Sequence, residues 1–208
     1  MTSFKTTFLT MRHGETLWNA EQRFQGHGDS RLTRNGRSGA EALGKRLKGF
    51  DFDLLISSDL GRAMETAAII AESTGHSIQV DKRLRERHYG VLEGLTIPEI
   101  QAGFPEAYER LLASDPDYVI PQGESRRQQY DRNIDFFKQA IAEQTGKTLA
   151  LVAHGGVLDS LFRFVTGLPL NQPPCFISAN TSLNIIFHGP FRYCTDWVIQ
   201  TWGDVGHL

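Results

Sequence analysis

Thr7 to Asn19 reads TFLTMRHGETLWN, a run of β-branched and apolar residues that stops abruptly on Arg12-His13-Gly14. Thr7 to Met11 have the make-up of a buried strand, and Gly14 admits the backbone angles of a tight turn. A guanidinium and an imidazole are therefore delivered to the carboxyl end of a strand, the edge at which open α/β sheets bind ligands. Three residues recur by chance, so an isolated Arg-His-Gly would be read as a solvated Arg beside a satisfied His. The remainder of the chain decides between the two.

The 208 residues suffice for one domain with a sizeable core, expected to span 1–208. With 40% hydrophobic and 22% charged residues, the composition is that of an ordinary globular protein. A formal net charge of −2, with no basic cluster longer than Arg126-Arg127, argues against nucleic acid as a partner. No apolar run approaches the length needed to cross a bilayer, and no apolar leader stretch opens the chain. Cys175 and Cys194 sit in no metal-ligand or redox spacing and read as reduced, so the expected location is cytoplasmic, away from membranes.

Residues 19–31 are polar and Gly-bearing and read as a loop folding back toward the first strand's end. A helix follows with Thr33 as N-cap and Ala40, Leu43 and Leu47 on one face, ended by Gly49. Phe52 to Ile56 form a strand, after which Ser58 or Asp59 can cap a helix from Leu60 to Ser73 that carries Arg62 in its first turn. His76 to Val80 make a third strand, and Leu84 to Gly94 a loop dense in ionisable groups. Proline-broken helical pieces at Ile97 to Ala102 and Pro105 to Ala113 form an excursion, a lid over about 96–122. A long helix, opened by Gly123-Glu124-Ser125, runs to about Gln144 with Ile134, Phe137 and Ile141 inward.

Thr148 to Ala153, TLALVA, is a second fully apolar strand, and it too stops on a histidine and glycines, His154-Gly155-Gly156, before a helix from Val157 to Gly167. Leu183 to Phe187 and Trp197 to Trp202 are the last strands, and one of them would leave an exposed edge on which a homodimer could form. Strands alternating with helices predict a three-layer α/β/α sandwich around a largely parallel sheet, with right-handed crossovers.

If the two histidine turns end neighbouring parallel strands, their imidazoles converge on one crevice lined by backbone N–H groups, which is an anion site. Arg12 and Arg62 can clamp a phosphoryl group there through bidentate donors. A neutral histidine can attack phosphorus and carry the group covalently. The leaving oxygen then needs a proton, and Glu86, set between Arg85 and Arg87, offers a carboxyl whose protonated form the phosphate's like charge would favour. A zinc site built from His13, His154 and Glu86 is disfavoured by the arginines, which would repel the cation, so neither metal nor cofactor is expected.

These stretches resemble the histidine phosphatase superfamily, in the branch that includes cofactor-dependent phosphoglycerate mutases and small-molecule phosphatases. The matching residues are RHGET at Arg12 to Thr16, LTRNG at Leu32 to Gly36, SSDLGRAMETA at Ser57 to Ala67, RERHYGVLEG at Arg85 to Gly94, PQGES at Pro121 to Ser125 and VAHGG at Val152 to Gly156. The resemblance implies the phosphoglycerate mutase-like fold, with His13 as the phosphorylated nucleophile, Glu86 as proton donor and acceptor, and Arg12, Arg62 and His154 as the phosphate pocket. Gly14, Thr16, Asn19, Gln25, Gly26, Tyr89 and Gly155 are implied as further substrate contacts. The chain departs from the family pattern at Gly39, where relatives often carry Gln, and at Val91-Leu92, where many carry an aromatic residue.

Two readings stand beside that of a phosphatase acting on a small phosphomonoester: a phosphoglycerate mutase, and a binding domain that uses the same pocket without chemistry. A mutase must hold two phosphate-bearing ends, yet Thr96 to Ser125 carries six acids (Glu99, Glu106, Glu109, Asp115, Asp117, Glu124) against Arg110 alone. Hydrolysis is therefore expected. The lid's Phe104, Tyr108 and Tyr118 suggest a ring-bearing or apolar leaving group. His27, His76, His188 and His207 read as ordinary loop histidines, His88 as structural or near the pocket, and Arg126-Arg127 as a solvated helix start.

Overall fold

The computed structural model describes residues 5–192 and 196–208; Cys194, read above as reduced, lies outside the described residues. Strands β1 (Thr6–Arg12), β2 (Leu54–Ser57), β3 (Ile78–Val80), β4 (Thr148–Ala153), β5 (Leu183–His188) and β6 (Trp197–Asp204) form one sheet in the order β3-β2-β4-β1-β5-β6. Helices α1 (Leu17–Ala20), α2 (Arg34–Leu47), α3 (Gly61–Thr74), α4 (Ile97–Gly103), α5 (Pro105–Leu112), α6 (Arg126–Glu143) and α7 (Gly155–Thr166) complete the α/β architecture.

Both faces of the central strands are covered, which is why β1 and β4 read as unbroken apolar runs instead of alternating with polar residues. Phe8, Leu149 and Leu151 face α6 and α7, where Phe137, Val157 and Leu161 close the layer. Leu9, Met11, Ala150 and Val152 face Leu43, Leu47, Ala63, Ala67 and Ile70 of α2 and α3. Phe8 meets Phe137 edge-on with ring centroids 5.4 Å apart. Leu92, Ile100, Ala107 and Ile120 form a third, separate cluster that holds the 96–122 segment together.

β1 and β4 are parallel neighbours in register, Arg12 opposite Ala153, so His13 and His154 leave the sheet side by side. The strands β3, β2, β4 and β1 are mutually parallel, β5 runs antiparallel to β1, and β6, antiparallel to β5, returns to the direction of the first four. The reversal has a topological cause. After α7 ends on the left-handed Gly167, residues 168–182 climb back to the edge that holds the histidines, where Thr181 N–H bonds the Arg12 carbonyl at 3.0 Å, so β5 starts from that edge.

Other differences are local. α1 begins before the expected loop 19–31 and takes in its first two residues, nucleated by a capping box in which Thr16 accepts from the Asn19 N–H at 3.1 Å and Asn19 Oδ1 accepts from the Thr16 N–H at 3.2 Å. Neither Ser58 nor Asp59 caps α3 through its side chain. Asp29 does so from across the chain, accepting from Gly61 N–H at 2.5 Å and Arg62 N–H at 3.2 Å, while Asp59 is held by Arg85 at 2.6 Å. β2 begins two residues later than expected and β3 is only three residues long.

Candidate active site

His13 follows β1 directly, and its ring is fixed from behind. Nδ1 lies 2.8 Å from the Gly14 carbonyl, which can only accept, so Nδ1 carries the proton and Nε2 is left with its lone pair. Arg62 Nε donates to that Nε2 at 3.2 Å. Burial, then Arg62 and Arg12, hold the His13 pKa well below its usual 6.5. The imidazole is therefore neutral at pH 7, with a nucleophilic nitrogen directed toward two guanidinium groups.

The turn tolerates no side chain at Gly14, because a Cβ there would sit 2.6 Å from the Gly36 carbonyl oxygen of α2. Its N–H donates to Thr66 Oγ1 at 2.9 Å, tying the turn to α3. His154 is wholly buried, its ring centroid 5.2 Å from that of His13. Ser58 Oγ lies 2.8 Å from His154 Nε2, close enough for its hydroxyl to donate there, and also accepts from Leu60 N–H. With the hydroxyl donating, Nδ1 is the protonated nitrogen, and it has no partner among the described residues. Burial, followed by Arg62, His13 and Arg12, also holds His154 well below 6.5.

Arg62 is 1% exposed, and the loop 26–29 surrounds it: Nη2 donates to the Gly26 carbonyl at 2.8 Å, Nη1 to Gly28 at 2.9 Å and to Asp29 Oδ1 at 3.3 Å. Asp59, just ahead of α3, is bonded by Arg85 and Glu65 of α3 pairs with Arg37, so neither pairs with Arg62. Arg12 donates through Nη1 to the Ser178 carbonyl, while its Nε is buried without a partner among the described residues. Burial lowers the pKa of both arginines and Glu86 opposes the shift, so both stay cationic.

Glu86 is held by three N–H donors. Oε1 accepts from Arg87 N–H at 2.8 Å and Gln129 Nε2 at 2.9 Å, and Oε2 accepts from Gly156 N–H at 3.1 Å in the first turn of α7. The double glycine after His154 makes this possible, since a Cβ on Gly156 would lie 2.1 Å from Glu86 Oε1. His13, Glu86, Arg12 and Arg62 line one cavity of about 210 Å³ together with Asn19, Gln25, Gly26 and Tyr89.

Of the remaining expected contacts, Asn19 has its Oδ1 occupied by Thr16 and Asn180, leaving its amide N–H groups at the cavity. Tyr89 stands edge-on to Phe24 at 4.9 Å, and burial, then Glu86, push its hydroxyl up to about 12, so it remains a donor. Gly155 opens onto an adjoining cavity of about 300 Å³. Thr16 departs from expectation: it is fully buried and its hydroxyl caps α1, so it places Asn19 instead of reaching a ligand itself. His88 proves structural, its Nδ1 accepting from Gly90 N–H at 3.0 Å.

Several residues escaped the sequence reading. Asp29, Ser58, Thr66 and Gln129 support the charged groups through contacts distant in sequence. Arg87 was passed over beside Glu86 although its guanidinium is turned inward, 5% exposed. Arg126 does not lie on a solvated face as expected but lines the 300 Å³ cavity, whereas Arg127 pairs with Asp117 at the surface. Of the three aromatic residues of the 96–122 segment, Tyr108 lines a third cavity with Phe24, Arg87 and Arg126, while Phe104 is exposed.

Comparison with known proteins agrees with this geometry. A family model described as the histidine phosphatase superfamily (branch 1) matches residues 8–204. The chain is 36% identical over 199 residues to a probable phosphoglycerate mutase GpmB of Erwinia tasmaniensis, covering 95% of this chain and 93% of the relative. Among solved structures, it superposes on Bacillus stearothermophilus YhfR with a TM-score of 0.87 at 35% identity, covering 97% of this chain and 98% of the other. It superposes on a mycobacterial glucosyl-3-phosphoglycerate phosphatase with a TM-score of 0.79 at 32% identity, covering 96% and 98%.

Proposed function

The chain belongs to the histidine phosphatase superfamily (branch 1), and from that membership we propose that it hydrolyses a small phosphomonoester through a phosphohistidine on His13. The observation that carries the reading is a neutral His13 whose Nε2 lone pair shares a cavity with two arginines and a carboxylate on three N–H donors. A passive phosphate binder needs neither the nucleophilic nitrogen nor the carboxylate.

In the first half-reaction Arg12, Arg62, the Nδ1–H of His154 and the Asn19 amide take the phosphoryl oxygens. The Nε2 lone pair forms the P–N bond as the P–O bond to the alcohol breaks, and the Glu86 carboxyl supplies the proton to the departing oxygen. The positive charge that the ring then gains falls next to the Gly14 carbonyl, which already accepts its Nδ1–H. In the second half, the Glu86 carboxylate removes a proton from water, the oxygen attacks phosphorus, and His13 departs as the neutral imidazole. Positive groups placed in advance around the transferring phosphoryl provide the largest share of the acceleration.

A phosphoglycerate mutase is the second reading, favoured by the name of the Erwinia tasmaniensis relative. Against it, Arg110, the lone base between Thr96 and Glu124, faces Asp115 at the surface and is not available to a second phosphate. Phosphate release from a panel of phosphomonoesters without added metal, with 3-phosphoglycerate run with and without a bisphosphoglycerate primer, separates the two. Hydrolysis lost in His13→Ala is the expected result. Primer-dependent isomerisation without release would establish the mutase, and silence in both assays would leave a binding domain.

A further inference from the structure

The loop that leads into β5 reaches back over the nucleophile. Its Asn180 is half-buried and donates through Nδ2 to the His13 carbonyl at 2.9 Å and to Asn19 Oδ1 at 3.2 Å. A carbonyl only accepts, so the His13 contact fixes which end of the Asn180 amide is nitrogen. Its second proton then needs an acceptor on Asn19, and the Thr16 N–H, 3.2 Å from the same Oδ1, needs one too. Asn19 is thereby held with its oxygen inward and its N–H pair at the cavity, the orientation in which it can donate to a phosphoryl oxygen. Turned over, it would present a lone pair to an anion.

The bond to His13 acts on the nucleophile itself. The His13–Gly14 peptide is gripped at both ends, its carbonyl by Asn180 and its N–H by Thr66 Oγ1 at 2.9 Å. Gly14 has no side chain to restrict the backbone, so the orientation of this peptide depends on its partners. Any rotation there also moves the Gly14 carbonyl, which receives the ring's Nδ1–H at 2.8 Å, and with it the line of the Nε2 lone pair.

The chain accepts strain to place Asn180 at this point. Thr181, the next residue, lies at φ +57°, a left-handed conformation unfavourable for a β-branched side chain, and strain of this kind gathers at functional sites. In that conformation its N–H meets the Arg12 carbonyl at 3.0 Å while the Asn180 side chain lies against His13. α2 leaves room for it: a Cβ on Gly39 would sit 2.9 Å from Thr181 Oγ1.

We propose that Asn180 is a positioning residue for phosphoryl transfer, an inference that rests on the reading of His13 as the nucleophile. It is not among the residues lining the cavity that holds His13. It acts through two that are, aligning the His13 imidazole for in-line attack and keeping the Asn19 amide a donor. Misplacing a reacting group by about 1 Å can cost on the order of 10² in rate, so one bond to a backbone carbonyl carries weight here.

Orthovanadate reports the alignment, because its five-coordinate adduct takes His13 Nε2 as an apical ligand, whereas inorganic phosphate engages only the surrounding donors. Calorimetry of the two anions on wild-type protein should show vanadate preferred by about 10² or more, as for a transition-state analogue. Asn180→Ala should reduce that preference by about tenfold, and kcat for p-nitrophenyl phosphate at least as far. Asn180→Asp, nearly isosteric but unable to donate when ionised, should do the same, and it carries the test if circular dichroism shows Asn180→Ala unfolded. Phosphate affinity should also fall, and fall less when Asn19→Ala is already present, since part of the effect passes through that amide. A residue that merely braces the loop would weaken both anions alike. That outcome, an unchanged preference, or losses at Asn180 and Asn19 that simply add would each overturn the proposal. Failure of the phosphatase reading shows up separately, as wild-type protein that releases no phosphate from any ester yet still prefers vanadate.

Discussion

Burial, together with the two arginines that would receive a phosphoryl group, keeps His13 neutral, which binds reactivity to stability at one residue. An unfolded chain protonates each histidine near 6.5, while the buried His13 and His154 resist protonation well below that value. Below about pH 6.5 the unfolded state therefore binds protons that the folded state does not, and stability falls as pH falls, by about 1.4 kcal/mol per histidine per pH unit. Urea midpoints from pH 7 to 5 should drop less steeply in His154→Gln than in wild type; parallel curves would contradict the assignment. Phosphate release should not be lost through the ordinary imidazole range, since the nucleophile stays unprotonated there. Glu86→Gln should lower turnover by about 10² to 10⁴. Gly156→Ala should act in the same direction without touching an ionisable group, because its methyl would displace the Glu86 carboxylate.

The helices show where reading by local pattern succeeds and where it stops. Thr33 caps α2 as expected, and Ser125 caps α6 in the same way, because a hydroxyl at the N-cap finds the N–H three residues ahead within its own segment. The cap of α3 was misread because its donors are satisfied by Asp29, 32 and 33 residues away. The histidines, Glu86, Arg12 and Arg62 were legible because each follows or opens a recognisable element, whereas Arg126 at the start of α6 has the sequence look of a solvated cation. Asp29→Ala should cost about 1 kcal/mol from the lost cap and also lower turnover, since Asp29 pairs with Arg62. Asp59→Ala, at the position that local reading favoured, should leave the α3 cap intact; equal damage to turnover from both substitutions would count against the non-local cap.

β1 and β4 lie in the middle of the sheet and under helices on both faces, while the 96–122 segment closes on a core of its own. Amides of β1 and β4 should therefore exchange with solvent only by global unfolding, and those of α4 and α5 by a cheaper local opening. Hydrogen exchange followed by mass spectrometry checks this, and equal protection of the two regions would argue for one cooperative unit. The pin from Thr181 to the Arg12 carbonyl, together with the antiparallel pairing of β5 to β1, has a consequence for the order in which the protein is made. The strand that leads into the nucleophile is synthesised well before its two flanking neighbours, β4 and β5. Chemistry on the nascent polypeptide has to wait until β5 has been translated.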